Sequence, residues 1–210
     1  GGETAGMILE SPATQQISFN PRSTWTYPDS LMGVVAFVRQ TLSDARHLES
    51  ASSIYNRAPS GKRRPSPDAD LEAISPILRR ELPVVFIADS EPMIRRARAL
   101  AAESGVRWIL SGARQSYLLA DEISSWKVPV LVSVNFARPP RSVDDRTAEP
   151  LRVIRDRALS PTSPAELEKR NVPFALVSGR ARPADFLAGV RKTIDAGLSA
   201  EGAPRAVTLS

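Results

Sequence analysis

At 210 residues, with 42% hydrophobic and 24% charged side chains, the chain has the composition of an ordinary globular protein with a sizeable core. It falls short of the roughly 250 residues of a complete α/β barrel. It has no cysteine, which excludes disulfides and thiolate metal sites, and no apolar run approaches the roughly 18 residues of a membrane span. The formal charge of +5 comes from arginines scattered among acidic neighbours; the one dense cluster, Lys62, Arg63 and Arg64, sits in a Pro/Ser loop without interleaved aromatics, so no nucleic-acid partner is expected.

Residues 1–28 read as an N-terminal extension with short strands around 7–9 and 16–19. The opening GGETAGMILESP lacks the charged-then-apolar layout of a signal peptide. Residues 29–80 form a helical segment: a long helix over 30–52, with Leu31, Val34, Val35, Val38, Leu42 and Ala45 on one face, the Pro/Arg-rich linker NRAPSGKRRPSPDAD, and a helix over 71–80.

From 81 to 210 the pattern becomes regular. Four short apolar runs, at 83–88, 107–110, 128–134 and 172–177, each precede an amphipathic stretch. Their apolar residues are continuous rather than alternating, as in strands buried on both faces, and such strands are parallel and joined by right-handed helical crossovers. The first crossover helix carries Ile94, Ala97, Leu100 and Ala101 and ends at Gly105; the second carries Tyr117, Leu118, Ala120, Ile123 and Trp126. The third connection holds NFARPPRSVDDR, a helix over 149–158, and a short helix capped by Ser163 with Pro164 in its first turn. A fourth helix over 183–196 ends at Gly197, and 199–209 reads as one more. The expected class is α/β, with parallel strands alternating with helices.

SLMGVVAFVRQTLSDA, LEAISPILRRELPVVFIAD, IRRARALAAESGVRWILSGA, VPVLVSV, EPLRVIRDRALSPTSPAELEKRNVPFALVSG and DFLAGVRKTIDAGLSAEGAPRAVTLS together resemble the later part of an amidohydrolase-superfamily protein of the imidazolonepropionase-like branch. The resemblance extends from about Tyr27 to the end and is carried by the series of blocks rather than by any single one. It implies a partial (β/α)8 barrel of TIM type, with residues 81–210 as its last four βα units and the earlier strands, which carry the family's HxH ligand pair, not included. It further implies a divalent metal, typically zinc, hydrolysis of non-peptide carbon–nitrogen bonds in a small amide or lactam substrate, and an extracytoplasmic location.

The residues at the strand ends bear on that chemistry. A divalent ion that activates water needs several imidazoles and a carboxylate fixed there. The chain has one histidine, His47, on the upstream helix. Where the family places histidines after its fifth and sixth strands this sequence reads FIAD and ILSG, so that Ile87, Asp89 and Ser111 stand there; where it has a Ser/Thr-Asp pair after the eighth, VSGRA supplies Ser178 and Gly179. No metal ligand is assigned within this segment. Asp89 is the candidate catalytic residue, with three readings open: a residual ligand or substrate contact, an N-cap for the helix holding Glu91 and Pro92, or an Arg-paired structural group. Ser111, Asn135, Ser178 and Gly179 are candidates for the mouth of a pocket. The recurring strand-end serines, Ser133 among them, have no histidine close in sequence to act as base, and read as small polar residues finishing strands. Gly112 and Gly179, assisted by Arg114 or Arg180, offer backbone N–H groups to an anion.

The expected function is therefore that of an amidohydrolase-family protein whose segment here lacks the metal ligands and is itself inactive. The alternative is a non-catalytic barrel module that binds a small anionic ligand or a partner barrel. Self-association through exposed sheet edges belongs to the same expectation.

Overall fold

The strands follow one another in space in the order in which they occur in the chain: β1 (Gln15–Ser18), β2 (Val84–Ala88), β3 (Trp108–Gly112), β4 (Val130–Ser133) and β5 (Phe174–Val177) form one five-stranded sheet, each hydrogen-bonded to the next. This computed structural model describes residues 12–21, 25–140, 142, 144, 148–179 and 181–208. The strand expected at 7–9 and the candidate anion contact Arg180 lie outside them. The fold is α/β, a partial (β/α)8-type barrel of parallel strands alternating with helices. By contact density it comprises two units, one over Gly1–Val85 and Arg98–Trp108, the other over Phe86–Ala97 and Ile109–Ser210.

In the first unit, α1 (Leu31–Arg57) begins where the Ser30 hydroxyl accepts the Gly33 N–H at 3.1 Å, an N-cap bond that satisfies one of the helix's orphan donors. Val34, Leu42 and Ala45 of the expected stripe are buried. The helix continues through Asn56 and Arg57, which the sequence reading left to the linker, and stops at Ala58, held extended before Pro59. The helix α2 (Ala69–Leu78) is capped by Asp68, whose Oδ1 accepts from Asp70 and Leu71 at 3.1 Å each. Arg79 joins the two helices through Glu49 at 3.0 Å, and also pairs with Glu81 at 2.9 Å.

In the second unit, β3–β4–β5 pair in parallel, with Leu110 beside Val130, Gly112 beside Val132, Val130 beside Phe174 and Ser133 beside Val177. The 3-10 turn Ser116–Leu118 and α4 (Ala120–Trp126) link β3 to β4. Between β4 and β5 come α5 (Leu151–Leu159), the 3-10 turn Ser160–Thr162 and α6 (Ser163–Glu168); α7 (Pro183–Asp195) and α8 (Gly202–Val207) follow β5. The crossover helix α3 (Glu91–Ser104) lies between β2 and β3 in the chain, with Ile94, Ala97, Leu100 and Ala101 buried as its periodicity requires. Gly189 of α7 packs directly on β4's exit, where an added Cβ would come within 2.5 Å of the Val134 carbonyl.

Three expectations need correction. Leu118 is 52% exposed and Leu119 is the buried residue, because the segment opens with a 3-10 turn whose tighter winding shifts the apolar face by one position. Ser163 does not cap α6; its hydroxyl donates to the Arg114 carbonyl at 2.8 Å and accepts the Tyr117 N–H at 3.2 Å, tying the helix to the loop after β3. The strands are not equally buried on both faces: Phe86, Leu110, Val130 and Val132 are fully covered, whereas the alternate positions Ile87, Ile109, Leu131, Ala175 and Val177 retain exposure. In a TIM-type barrel the alternate positions of each strand face the interior, which side chains from the other strands fill.

Two outcomes follow from this packing. Ile94→Ala should lower unfolding stability by about 2–5 kcal/mol in urea titrations, the range for deleting a fully buried branched side chain. The second concerns Arg170, which bridges Asp121 at 2.6 Å and Glu166 at 2.7 Å. Hydrogen bonds from Arg170 lower the Asp121 carboxyl below its usual range, and those from Lys169 and Arg170 lower Glu166. Because the folded values lie below the unfolded ones, this contribution is present at neutral pH and is lost as pH falls from about 5 through the lowered values. Melting curves of Arg170→Ala should thus fall below wild type near neutrality and converge with it in acid.

Candidate functional site

The carboxyl ends of the parallel strands are where an α/β sheet presents its loops. Asp89 leaves β2 beside the first residues of β3's exit loop. Its Oδ1 lies 3.1 Å from Arg114 Nε, while the side chain as a whole is 43% exposed. Oδ1 is itself buried and accepts no hydrogen bond, so charge rather than an aligned N–H holds the pair. The close approach depends on Gly112, which has φ 93° and where a Cβ would come 2.7 Å from Oδ1. Of the three readings left open for Asp89, the arginine-paired one describes its geometry. The position that opens α3 is Ser90, whose carbonyl accepts the Ile94 N–H at 2.9 Å.

Gln115 completes this corner. Its Oε1 accepts the Glu91 N–H at 2.8 Å, its Nε2 donates to Asp156 Oδ1 at 2.8 Å, and its backbone N–H donates to the Asp89 carbonyl at 3.0 Å. The Ala113 N–H donates to the Ala88 carbonyl at 2.9 Å. Together with Ser163 on the Arg114 carbonyl, these bonds fix the backbone on both sides of Arg114. Beneath the loop, burial raises the Tyr117 phenol above its ordinary range, with the Asp156 carboxylate adding to the rise.

A second corner forms at β4 and β5. Ser133 is buried, its Oγ accepts the Asn135 N–H at 3.3 Å, and Gly179, at φ 60°, sits so close over it that a Cβ would collide with Oγ. Ser178 turns the chain there, its carbonyl accepting the Ala181 N–H at 3.0 Å. Ser111 lies in register with Leu131 and is half-buried. Thus Asp89, Gly112 and Arg114 make one cluster, and Ser133, Asn135 and Gly179 another. His47 is exposed on α1.

Arg114 and Asn135 also line an open cleft of about 580 Å³ with Phe136, Arg138, Arg182 and Asp185. Arg182 Nε reaches Asp185 Oδ2 at 2.9 Å and Arg138 reaches Oδ1 at 3.0 Å. These cations, Arg182 first, hold the Asp185 carboxyl below its usual range. Among the described residues, no three His, Cys, Asp or Glu side chains converge. The arrangement can orient and neutralise an oxyanion. Sequence reading named Arg114 only as an assistant to Gly112 and missed Gln115, Arg138, Arg182 and Asp185. Gln115 gave no local signal, since its side-chain partners are 24 and 41 residues away.

No family model and no curated protein matches the chain. Its architecture is similar to the crystal structure of an amidohydrolase from Thermotoga maritima MSB8, with a TM-score of 0.77 and 19% sequence identity over 96% of this chain and 51% of that one. The likeness is one of fold. The chain spans about half the length of that protein. On that superposable architecture, the two corners lie at the strand ends, the side of a TIM-type barrel that carries reactive groups.

Gly112→Ala tests the first corner. A side chain there both occupies a backbone region that favours glycine and meets the Asp89 carboxylate, so unfolding stability should fall by about 1–3 kcal/mol in denaturant titrations.

Proposed function

We propose that this chain supplies the later half of the barrel in a hydrolase of the imidazolonepropionase-like branch, a protein acting on non-peptide carbon–nitrogen bonds of a small amide or lactam. This half adds no metal cage of its own and is inactive by itself. The observation that carries the reading is the Asp89–Arg114 pair: the carboxylate at the end of β2 is engaged by a guanidinium, which takes the position in its field that a cation would otherwise have. The other side chains offered at the strand ends, Ser111, Ser133, Asn135 and Ser178, are neutral hydroxyls and an amide. Zinc is held by imidazole, thiolate and carboxylate, so this donor set does not fit it. In a complete protein, a divalent ion would supply water activation. The residues of this chain then serve to position ligand at the mouth, with Arg114 locked by Asp89, Ser163 and the Gln115 backbone.

Elemental analysis and zinc titration of the purified chain test this. Wild type and Asp89→Asn should both carry far less than one zinc per chain. A stoichiometric ion in wild type that disappears with Asp89→Asn would sink the reading.

A partner follows from the half-open strands. Ile87, Leu131, Ala175 and Val177 are apolar yet partly exposed, and among the described residues β1 and β5 stand at the two ends of the strand order, where edge strands invite pairing. We expect a complementary barrel half, or a second copy of the chain, to cover them. Light scattering of the isolated chain should show self-association; a monodisperse monomer that melts cooperatively is the contrary result.

A further inference from the structure

Independently of any hydrolytic chemistry, we infer that the cleft lined by Arg114, Asn135, Arg138, Arg182 and Asp185 is a binding site for the carboxylate of a small organic molecule. Among the described residues, three guanidinium groups line it, each with a different degree of engagement. Arg114 stands against Asp89 with Nε 3.1 Å from Oδ1 but without an aligned hydrogen bond, and its two terminal amino groups donate no hydrogen bond to any described residue. Those two groups form the flat, forked edge that matches the two oxygens of a carboxylate.

The Arg114 backbone is fixed on both sides. Its carbonyl receives the buried Ser163 hydroxyl at 2.8 Å, and the next residue's N–H bonds the Asp89 carbonyl at 3.0 Å. Its side chain is 32% exposed, against 66% for Arg138 and 76% for Arg182. A preorganised guanidinium loses little freedom on binding, which is where affinity for a small ion is otherwise forfeited. Arg138 and Arg182 share one carboxylate, Asp185, so they are incompletely neutralised. Among the described residues, Asp89 and Asp185 together offset two of the three positive charges. The remaining charge suits a monoanion, which favours a carboxylate over the more highly charged phosphate. The Asn135 side chain, exposed at the rim, can add one neutral hydrogen bond to the ligand.

The test is a titration of the full chain with N-acetylglycine and, separately, with inorganic phosphate, followed by amide chemical shifts. N-acetylglycine should saturate, with shifts centred on residues 112–116 and 135–138, and should bind more tightly than phosphate. Arg114→Ala should raise its Kd at least about tenfold. The paired substitution Arg138→Ala and Arg182→Ala, at exposed positions, should weaken binding severalfold with an unchanged melting temperature, which separates loss of the site from loss of the fold. Saturation by neither probe, tighter binding of phosphate, or binding indifferent to these substitutions would overturn the inference. Metal content plays no part in the readout, so failure here leaves the hydrolase reading standing, and a bound zinc would leave this site standing.

Discussion

An arginine set against an aspartate over a glycine organises the strand-end corner of this protein. Asp89 can bring Oδ1 to Arg114 only because Gly112, at φ 93°, leaves the space that any side chain would fill. The consequences spread from there. Asp89's carbonyl anchors Gln115, Gln115 accepts the first N–H of α3 and reaches α5 through Asp156, and Ser163 secures the intervening loop to the start of α6. A charge pair that is half in solvent contributes little stability by itself. Its weight here is geometric, since it aims a guanidinium that the surrounding hydrogen bonds have already fixed.

The second organising constraint is that parallel strands need cover on both faces. One set of positions is covered: Phe86, Leu110, Val130 and Val132 have no exposure. The alternate residues are apolar too, but they sit at partial exposure, as expected of strands whose opposite wall comes from elsewhere. The similarity in fold to a solved amidohydrolase, over about half of its length, is consistent with that physics.

Much of the element plan was legible. The stripe Ile94, Ala97, Leu100 and Ala101 is buried where its period places it, and Gly105 and Gly197 end their helices with positive φ. Failures came where local rules compete. A 3-10 turn rotated Leu118 outward in favour of Leu119, and Ser163, well suited to cap a helix, spends its hydroxyl on a distant carbonyl instead. At the site, strand-end position pointed to Asp89, Ser111, Asn135, Ser178 and Gly179, yet it could not say which would meet. The structure joins Asp89 to Arg114 and Gly179 to Ser133, and it adds Arg138, Arg182 and Asp185, whose cleft no spacing announces.

Periodicity and composition by themselves determined the alternation of strands and helices, the buried helix faces, and the scarcity of imidazole, because each is a property of neighbouring residues or of a count. Tertiary structure decided which strand face stays open, which carboxylate is taken by which guanidinium, and where Arg114, Arg138 and Arg182 gather. Those outcomes depend on residues tens of positions apart being brought within about 3 Å, the separation at which charge and hydrogen bonding act; no local pattern encodes that distance.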